Sequence, residues 1–206
     1  YLGINLEKEA TVMDLPLIVS LIISLVFAAY ATRCYVFLMV AMRKPMVVDD
    51  PPLDEEPFVS IVLPVYNERS VIDRLLKACT SIDYTNYEVI VIDDSTDPQM
   101  LEKLIRWKGH PRVKVLHREG RDGYKGGALN KGLSIADPKC SYVLVFDADF
   151  VPPKDIIQRM LGDFTGEEIA AVQGYQWHML NANENWISKA IRVLFSFSNL
   201  VELVAR

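Results

Sequence analysis

The chain has 206 residues, is 50% hydrophobic and carries a formal net charge of −5, with a mean hydropathy of +0.14 that is high for a purely water-soluble domain. The acidic balance excludes electrostatic binding to nucleic acid. Cys34, Cys79 and Cys140 are scattered, as are the three histidines, which excludes both a disulfide framework and a zinc-ligand spacing.

The chain begins at Tyr1 and stops at Arg206 without a turn or tail signal, so it is read as a piece of a longer protein. From Leu15 to Thr32 it is apolar apart from Ser20, Ser24 and Thr32, and apolar character resumes from Cys34 to Met42. About 20 helical residues span a ~30 Å hydrocarbon core. Residues 15–42 are therefore expected to form a transmembrane helix, too long for the core of a cleaved signal. Arg33 then lies at the inner interface, where its side chain snorkels, or faces other helices of a bundle. Glu7, Glu9 and Asp14 precede the segment, whereas Arg33, Arg43 and Lys44 lie at its far end. The excess of basic residues on that side predicts an extracytoplasmic segment 1–14 and a cytoplasmic globular part, where thiols stay reduced. Residues 43–57, rich in Pro, Asp and Glu, read as a linker.

From Phe58 the pattern changes to short apolar runs that alternate with helical segments. The expected strands are Phe58–Leu63, Tyr87–Ile92, Arg112–Leu116, Tyr142–Phe146 and Ile169–Gln173. Between them, Val71, Leu75, Leu76 and Cys79 repeat at helical spacing, as do Leu101, Leu104 and Ile105, and then Ala128, Leu129, Gly132 and Leu133. Asp97-Pro98 is a helix start, a cap residue followed by Pro at the first helical position. Alternating strands and helices predict an α/β fold, a mostly parallel sheet with helices on both faces. Such sheets bind ligands beyond the carboxyl ends of their strands.

Four polar clusters stand at those ends: Pro64-Val65-Tyr66-Asn67-Glu68, Asp93-Asp94-Ser95-Thr96-Asp97, Arg118 to Gly127, and Asp147-Ala148-Asp149. Singly, each has a plain explanation as a cap, a flexible loop or chance. In this order, each after a strand, they point to one site. Asp93 and Asp94 are adjacent and should project to opposite sides, with Asp94 favoured towards the ligand. A carboxylate there accepts hydrogen bonds from a base N–H or a ribose hydroxyl. Lys125, followed by Gly126 and Gly127, offers a point charge and approachable backbone amides to phosphate oxygens. Asp147 and Asp149, two apart at a strand end, suit a hard divalent cation, Mg2+ or Mn2+, bridging a diphosphate. The chain contains no P-loop, no dinucleotide-binding fingerprint and no nucleophile elbow.

Together these clusters, with Val172-Gln173, resemble the family-2 inverting glycosyltransferases of GT-A fold, and in particular the cellulose-synthase-like mannan and glucan synthases. The likeness is carried by Asp93-Asp94-Ser95-Thr96-Asp97-Pro98, Gly123-Tyr124-Lys125-Gly126-Gly127-Ala128-Leu129 and Phe146-Asp147-Ala148-Asp149-Phe150, and it runs from about Phe58 to Asn181. The resemblance implies a GT-A domain over 58–181 that binds a UDP- or GDP-sugar with a divalent metal. It places Pro64, Tyr66, Glu68, Asp93 and Asp94 around the nucleoside, Lys125 and Asp147 near the ribose and diphosphate, and Asp149 with Asp147 on the metal. Two features of the family are missing after Val172: the later carboxylate that serves as general base, and a Gln-x-x-Arg-Trp motif. No catalytic residue is therefore assigned. Glu184 lacks the family's surroundings. Lys103-Leu104-Ile105-Arg106-Trp107 imitates the second motif but begins with Lys on an early helix, so it reads as a packing helix. Gln173 and Trp177, in an aromatic and polar stretch, either contact sugar or acceptor or belong to an ordinary core. Residues 182–206 read as a helix, either packing or lying on a membrane interface.

The resulting expectation is a membrane-bound, metal-dependent hexosyltransferase acting on a polysaccharide or lipid acceptor, with membrane lipid as a further partner. The alternatives are a catalytically silent donor-binding module and a nucleotidyltransferase that makes nucleotide-sugars. The soluble substrates of the latter fit poorly with a membrane segment.

Overall fold

The computed structural model describes residues 15–43, 56–166, 168–174 and 184–198. The expectations for residues 1–14, for most of the 43–57 linker and for Trp177 lie outside these. The chain divides into two units, one holding the first and last helices and the other spanning Val48–Gln173.

In the first unit, α1 runs unbroken from Leu15 to Arg43. Its apolar stretch Leu15–Val40 has 26 residues, none of them buried. At ~1.5 Å per residue that is about 39 Å, more than a bilayer core requires. Arg33 lies over the rings of Phe37 and Tyr30, 5.0 Å and 5.9 Å from their centroids. The last helix, α6, spans Trp186–Ser198.

The second unit is a four-stranded sheet. Its strands are β1 (Phe58–Val65), β2 (Tyr87–Asp93), β3 (Val113–His117) and β4 (Cys140–Val145). They lie in the order β3-β2-β1-β4, and every pairing is parallel. Ile61 sits between Val89 and Leu144, and Val62 between Ile90 and Val145. The central strands are buried on both faces, which is why β1 and β2 read as continuous apolar runs instead of alternating ones.

Helices α2 (Ile72–Thr80), α3 (Pro98–Trp107) and α5 (Ile156–Gly162) share one core with Ile61, Leu63, Val89 and Val91. Helix α4 (Tyr124–Ser134) covers the other face, where Ala128 meets Val62, Ile90 and Ile92. It lies so close that a Cβ on Gly132 would stand 2.5 Å from Val62 Cγ1. The cap on α3 forms as its sequence predicts: Asp97 accepts from the Gln99 amide at 3.0 Å, with Pro98 at the first turn. Lys103 and Trp107 behave as a packing helix requires. Lys103 pairs with Asp73 at 2.9 Å, and the Trp107 indole donates to the same carboxylate at 3.1 Å.

Two elements differ from expectation. Residues 169–173 form no strand, and the sheet of described residues ends at β4. Ala170 and Ala171 bring little β-propensity, and the Ile169 amide closes a turn onto Gly166 O instead of a ladder. Helix α5 was not anticipated; at seven residues it is too short for a clear period, although Ile157 and Leu161 are buried at its i, i+4 positions.

The strand order reverses direction between β1 and β4. That switch point opens a crevice at the carboxyl ends of the strands, where the loops after all four strands gather.

Candidate functional site

A cavity of about 280 Å³ lies at this crevice. Pro64 lines it from the end of β1, Tyr66 and Glu68 from the loop after β1, Asp94 from the residue after β2, Lys125 from α4, and Asp147 and Asp149 from the loop after β4. A larger cavity of about 700 Å³ runs along β4 and past Phe164 to Val172, but no charged side chain lines it. The polar clusters therefore converge on the smaller one.

Each loop is braced to the next. Asn67, in the left-handed region at φ 55°, accepts from the amides of Thr96 and Asp97 at 3.0 and 3.1 Å, and its own amide donates to Ser95 Oγ at 2.7 Å. The β1 loop is thereby fixed to the β2 loop. Asp93 and Asp94 do project to opposite sides. Asp93 is fully buried, where it accepts from the Ser95 amide at 3.1 Å and meets His117 Nδ1 at 2.8 Å. It does not line the cavity, because the strand's alternation turns it inward. Asp94, only 6% exposed, does line it.

The Asp94 carboxylate is gripped by Arg118. Nε donates to Oδ1 at 2.6 Å and Nη2 to Oδ2 at 2.5 Å, a bidentate pair of the strongest kind. The carboxylate pushes the Arg118 pKa still higher, chiefly through this hydrogen bond. The same guanidinium donates to Asp122 O at 3.1 Å and Tyr124 O at 3.2 Å. Sequence reasoning had assigned the cluster after β3 to Lys125 and its glycines and missed Arg118 and His117. The detectable signal was two basic residues closing one strand beside two acidic residues closing its neighbour.

At the start of α4, Gly123 and Tyr124 adopt φ of 70° and 49°. For a tyrosine that conformation is strained, and such strain concentrates at functional sites. The turn folds so tightly that a Cβ on Gly127 would lie 1.9 Å from Asp122 O, which explains the glycine. Lys125 projects across the crevice and pairs with Asp147. Asp149 is exposed and makes no ion pair among the described residues. Arg121 lies over Tyr66, 3.5 Å from the ring centroid, at the cavity wall. Gln173 is exposed and not part of this wall, so the structure does not bring it to the others.

Two carboxylates in one wall suit a hard cation that takes its remaining ligands from diphosphate oxygens and water. Among the described residues no cluster of three or more His, Cys, Asp or Glu would hold a metal without such help.

Comparison with known proteins gives a consistent result. The family model described as "Glycosyl transferase family 2" matches residues 60–202. The probable glucomannan 4-beta-mannosyltransferase 9 of Oryza sativa subsp. japonica is 38% identical over 149 residues, 66% of this chain and 28% of the relative. The probable glucomannan 4-beta-mannosyltransferase 15 of Arabidopsis thaliana is 33% identical over 185 residues, 81% of this chain and 34% of the relative. The chain thus spans about a third of the length of these relatives. Among solved structures, the mannosyltransferase PcManGT from Pyrobaculum calidifontis, in complex with GDP-Man and Mn2+, superposes with a TM-score of 0.57 at 24% identity, covering 71% of this chain and 44% of that one. That last likeness is one of fold, the GT-A type.

Proposed function

The chain belongs to glycosyl transferase family 2, and from that premise we propose that its sheet unit is the donor-binding part of a membrane-anchored, inverting hexosyltransferase. One observation carries the reading: Tyr66, Glu68, Asp94, Lys125, Asp147 and Asp149 line a single cavity at the switch point of the sheet. The relatives' names support mannosyl transfer to a polysaccharide, and favour glycosyl over nucleotidyl transfer.

In this reading Asp94 accepts from the base or ribose of a UDP- or GDP-sugar, with Tyr66 and Glu68 beside it. Lys125 moves from Asp147 to the diphosphate. Asp147 and Asp149 would hold Mg2+ or Mn2+, which would supply positive charge to the departing nucleoside diphosphate. Lys125 and the first amides of α4 steady the same oxygens. An acceptor hydroxyl, from polysaccharide or lipid, then attacks the anomeric carbon from the opposite side. Every carboxylate lining the cavity among the described residues already serves the donor, so none is assigned as base. Helix α1 anchors the protein, and Arg43 and Lys44 at the carboxyl end of this segment favour a cytoplasmic site. On α6, Lys189 and Arg192 lie on one arc and Ile187, Ile191 and Leu194 on the other, which supports a packing or interfacial role.

Calorimetric titration of the full chain in nanodiscs with UDP and GDP, with and without Mn2+, tests the proposal. It predicts metal-dependent binding of at least one nucleotide. Absence of binding by both would refute it.

A further inference from the structure

Asp94 is the cavity's buried carboxylate, and its geometry is set from outside the cavity lining. Arg118 does not line the cavity. Its side chain packs against Asp94, 14% exposed against 6% for the carboxylate. Both carboxylate oxygens are held, one by Nε and one by Nη2. The guanidinium is itself held by the carbonyls of Asp122 and Tyr124, and the Arg118 amide donates to Asp93 O at 2.8 Å. A planar group fixed at four points cannot swing without breaking several bonds. It therefore fixes the plane of the Asp94 carboxylate. Each carboxylate oxygen has more than one lone pair, so Asp94, which lines the cavity, retains acceptor capacity for a ligand there.

The geometry points to Arg118 as a positioning residue: it acts through Asp94 to preset the carboxylate that receives the nucleoside, without touching the donor itself. This rests on the donor-site reading proposed above. Lysine in its place would keep the charge but lose the fork, so the carboxylate plane would become free to turn.

The test is a cycle of Arg118→Lys, Asp94→Glu and the double variant, titrated by calorimetry as full chains in nanodiscs. The ligands are UDP and GDP with Mn2+, and inorganic pyrophosphate with Mn2+. Both substitutions keep a charged pair. Arg118→Lys is expected to weaken nucleoside diphosphate binding about tenfold, from the loss of charge-assisted bonds that orient the acceptor. Pyrophosphate, which lacks base and ribose, should weaken much less, an outcome that general loosening of the fold would not produce. The double variant should bind about as the weaker single one does, since both act on one group. Wild-type affinity in Arg118→Lys, equal losses for pyrophosphate, or losses that multiply in the double variant would overturn the inference. If Arg118→Lys fails to fold, Asp94→Glu decides: it retains the charge and shifts the carboxylate by one methylene. Loss of nucleoside diphosphate with retained pyrophosphate supports preset geometry, and unchanged binding refutes it. A wild-type chain that binds no nucleotide refutes the donor site itself, whereas a binding wild type with an unaffected Arg118→Lys refutes this inference alone.

Discussion

At one end of the cavity a carboxylate and a guanidinium are locked together out of water; at the other a carboxylate and an ammonium meet in it. The Asp94–Arg118 side chains are 6% and 14% exposed, the Asp147–Lys125 side chains 46% and 55%. Coulomb attraction acts in both pairs, but desolvation and screening separate them. Removing one partner of a buried pair strands a charge, whereas an exposed pair gains little over its solvated parts. The first end is thus rigid before any ligand arrives. The second is held weakly enough that, in the proposed function, Lys125 and Asp147 can exchange each other for diphosphate and cation.

The largest effect that would break this contrast is at Asp94. Replacing it with Ala should cost up to about 3–5 kcal/mol in denaturant unfolding, because the half-buried Arg118 loses its carboxylate and keeps only two carbonyl acceptors. A loss under about 1 kcal/mol would make the two ends alike. Next comes Gly127→Ala, whose Cβ would meet Asp122 O at 1.9 Å. The turn that presents Lys125 must then shift, at about 1–3 kcal/mol of stability, the usual cost of overpacking. Lys125→Ala should change unfolding by no more than about 1 kcal/mol, yet weaken nucleoside diphosphate binding measured by calorimetry. A mutant that unfolds readily would assign this lysine to the scaffold.

The smallest effect lies away from the cavity and sets its baseline. Hydrogen bonds from Lys103 and then Trp107 hold the Asp73 carboxyl below its ordinary pKa of 3.8. A depressed carboxyl contributes stability above that value and loses it as pH falls through the folded one. Asp73→Asn should therefore lower stability slightly at neutral pH, where the charged carboxyl contributes, and flatten the acid limb of the profile below about pH 4, where the two proteins converge. Nucleotide binding at pH 7 should be the same in both proteins.

The strands were legible because buried parallel strands are written as apolar runs, and the site because its polar residues follow them. Asp94 over Asp93 was legible too, from alternation alone. Arg118 was harder to read: the basic pair His117-Arg118 and the acidic pair Asp93-Asp94 are visible, but joining them requires knowing that β3 lies beside β2. The Ile169–Gln173 strand failed for a related reason: its residues are apolar, but a strand needs a ladder partner, and here the first amide turns back to Gly166. Helix α5 escaped because two buried positions in one turn do not make a period.

The central claim is that Asp147 and Asp149 form the cation side of a nucleotide-sugar donor site. Electron paramagnetic resonance of Mn2+ tests it most directly, since protein-bound and free Mn2+ give distinct spectra. Wild-type chain with UDP or GDP should draw Mn2+ out of the free signal beyond what nucleotide alone does, and Asp149→Ala should return it with no change in unfolding midpoint. Identical Mn2+ uptake in wild type and Asp149→Ala would contradict the account.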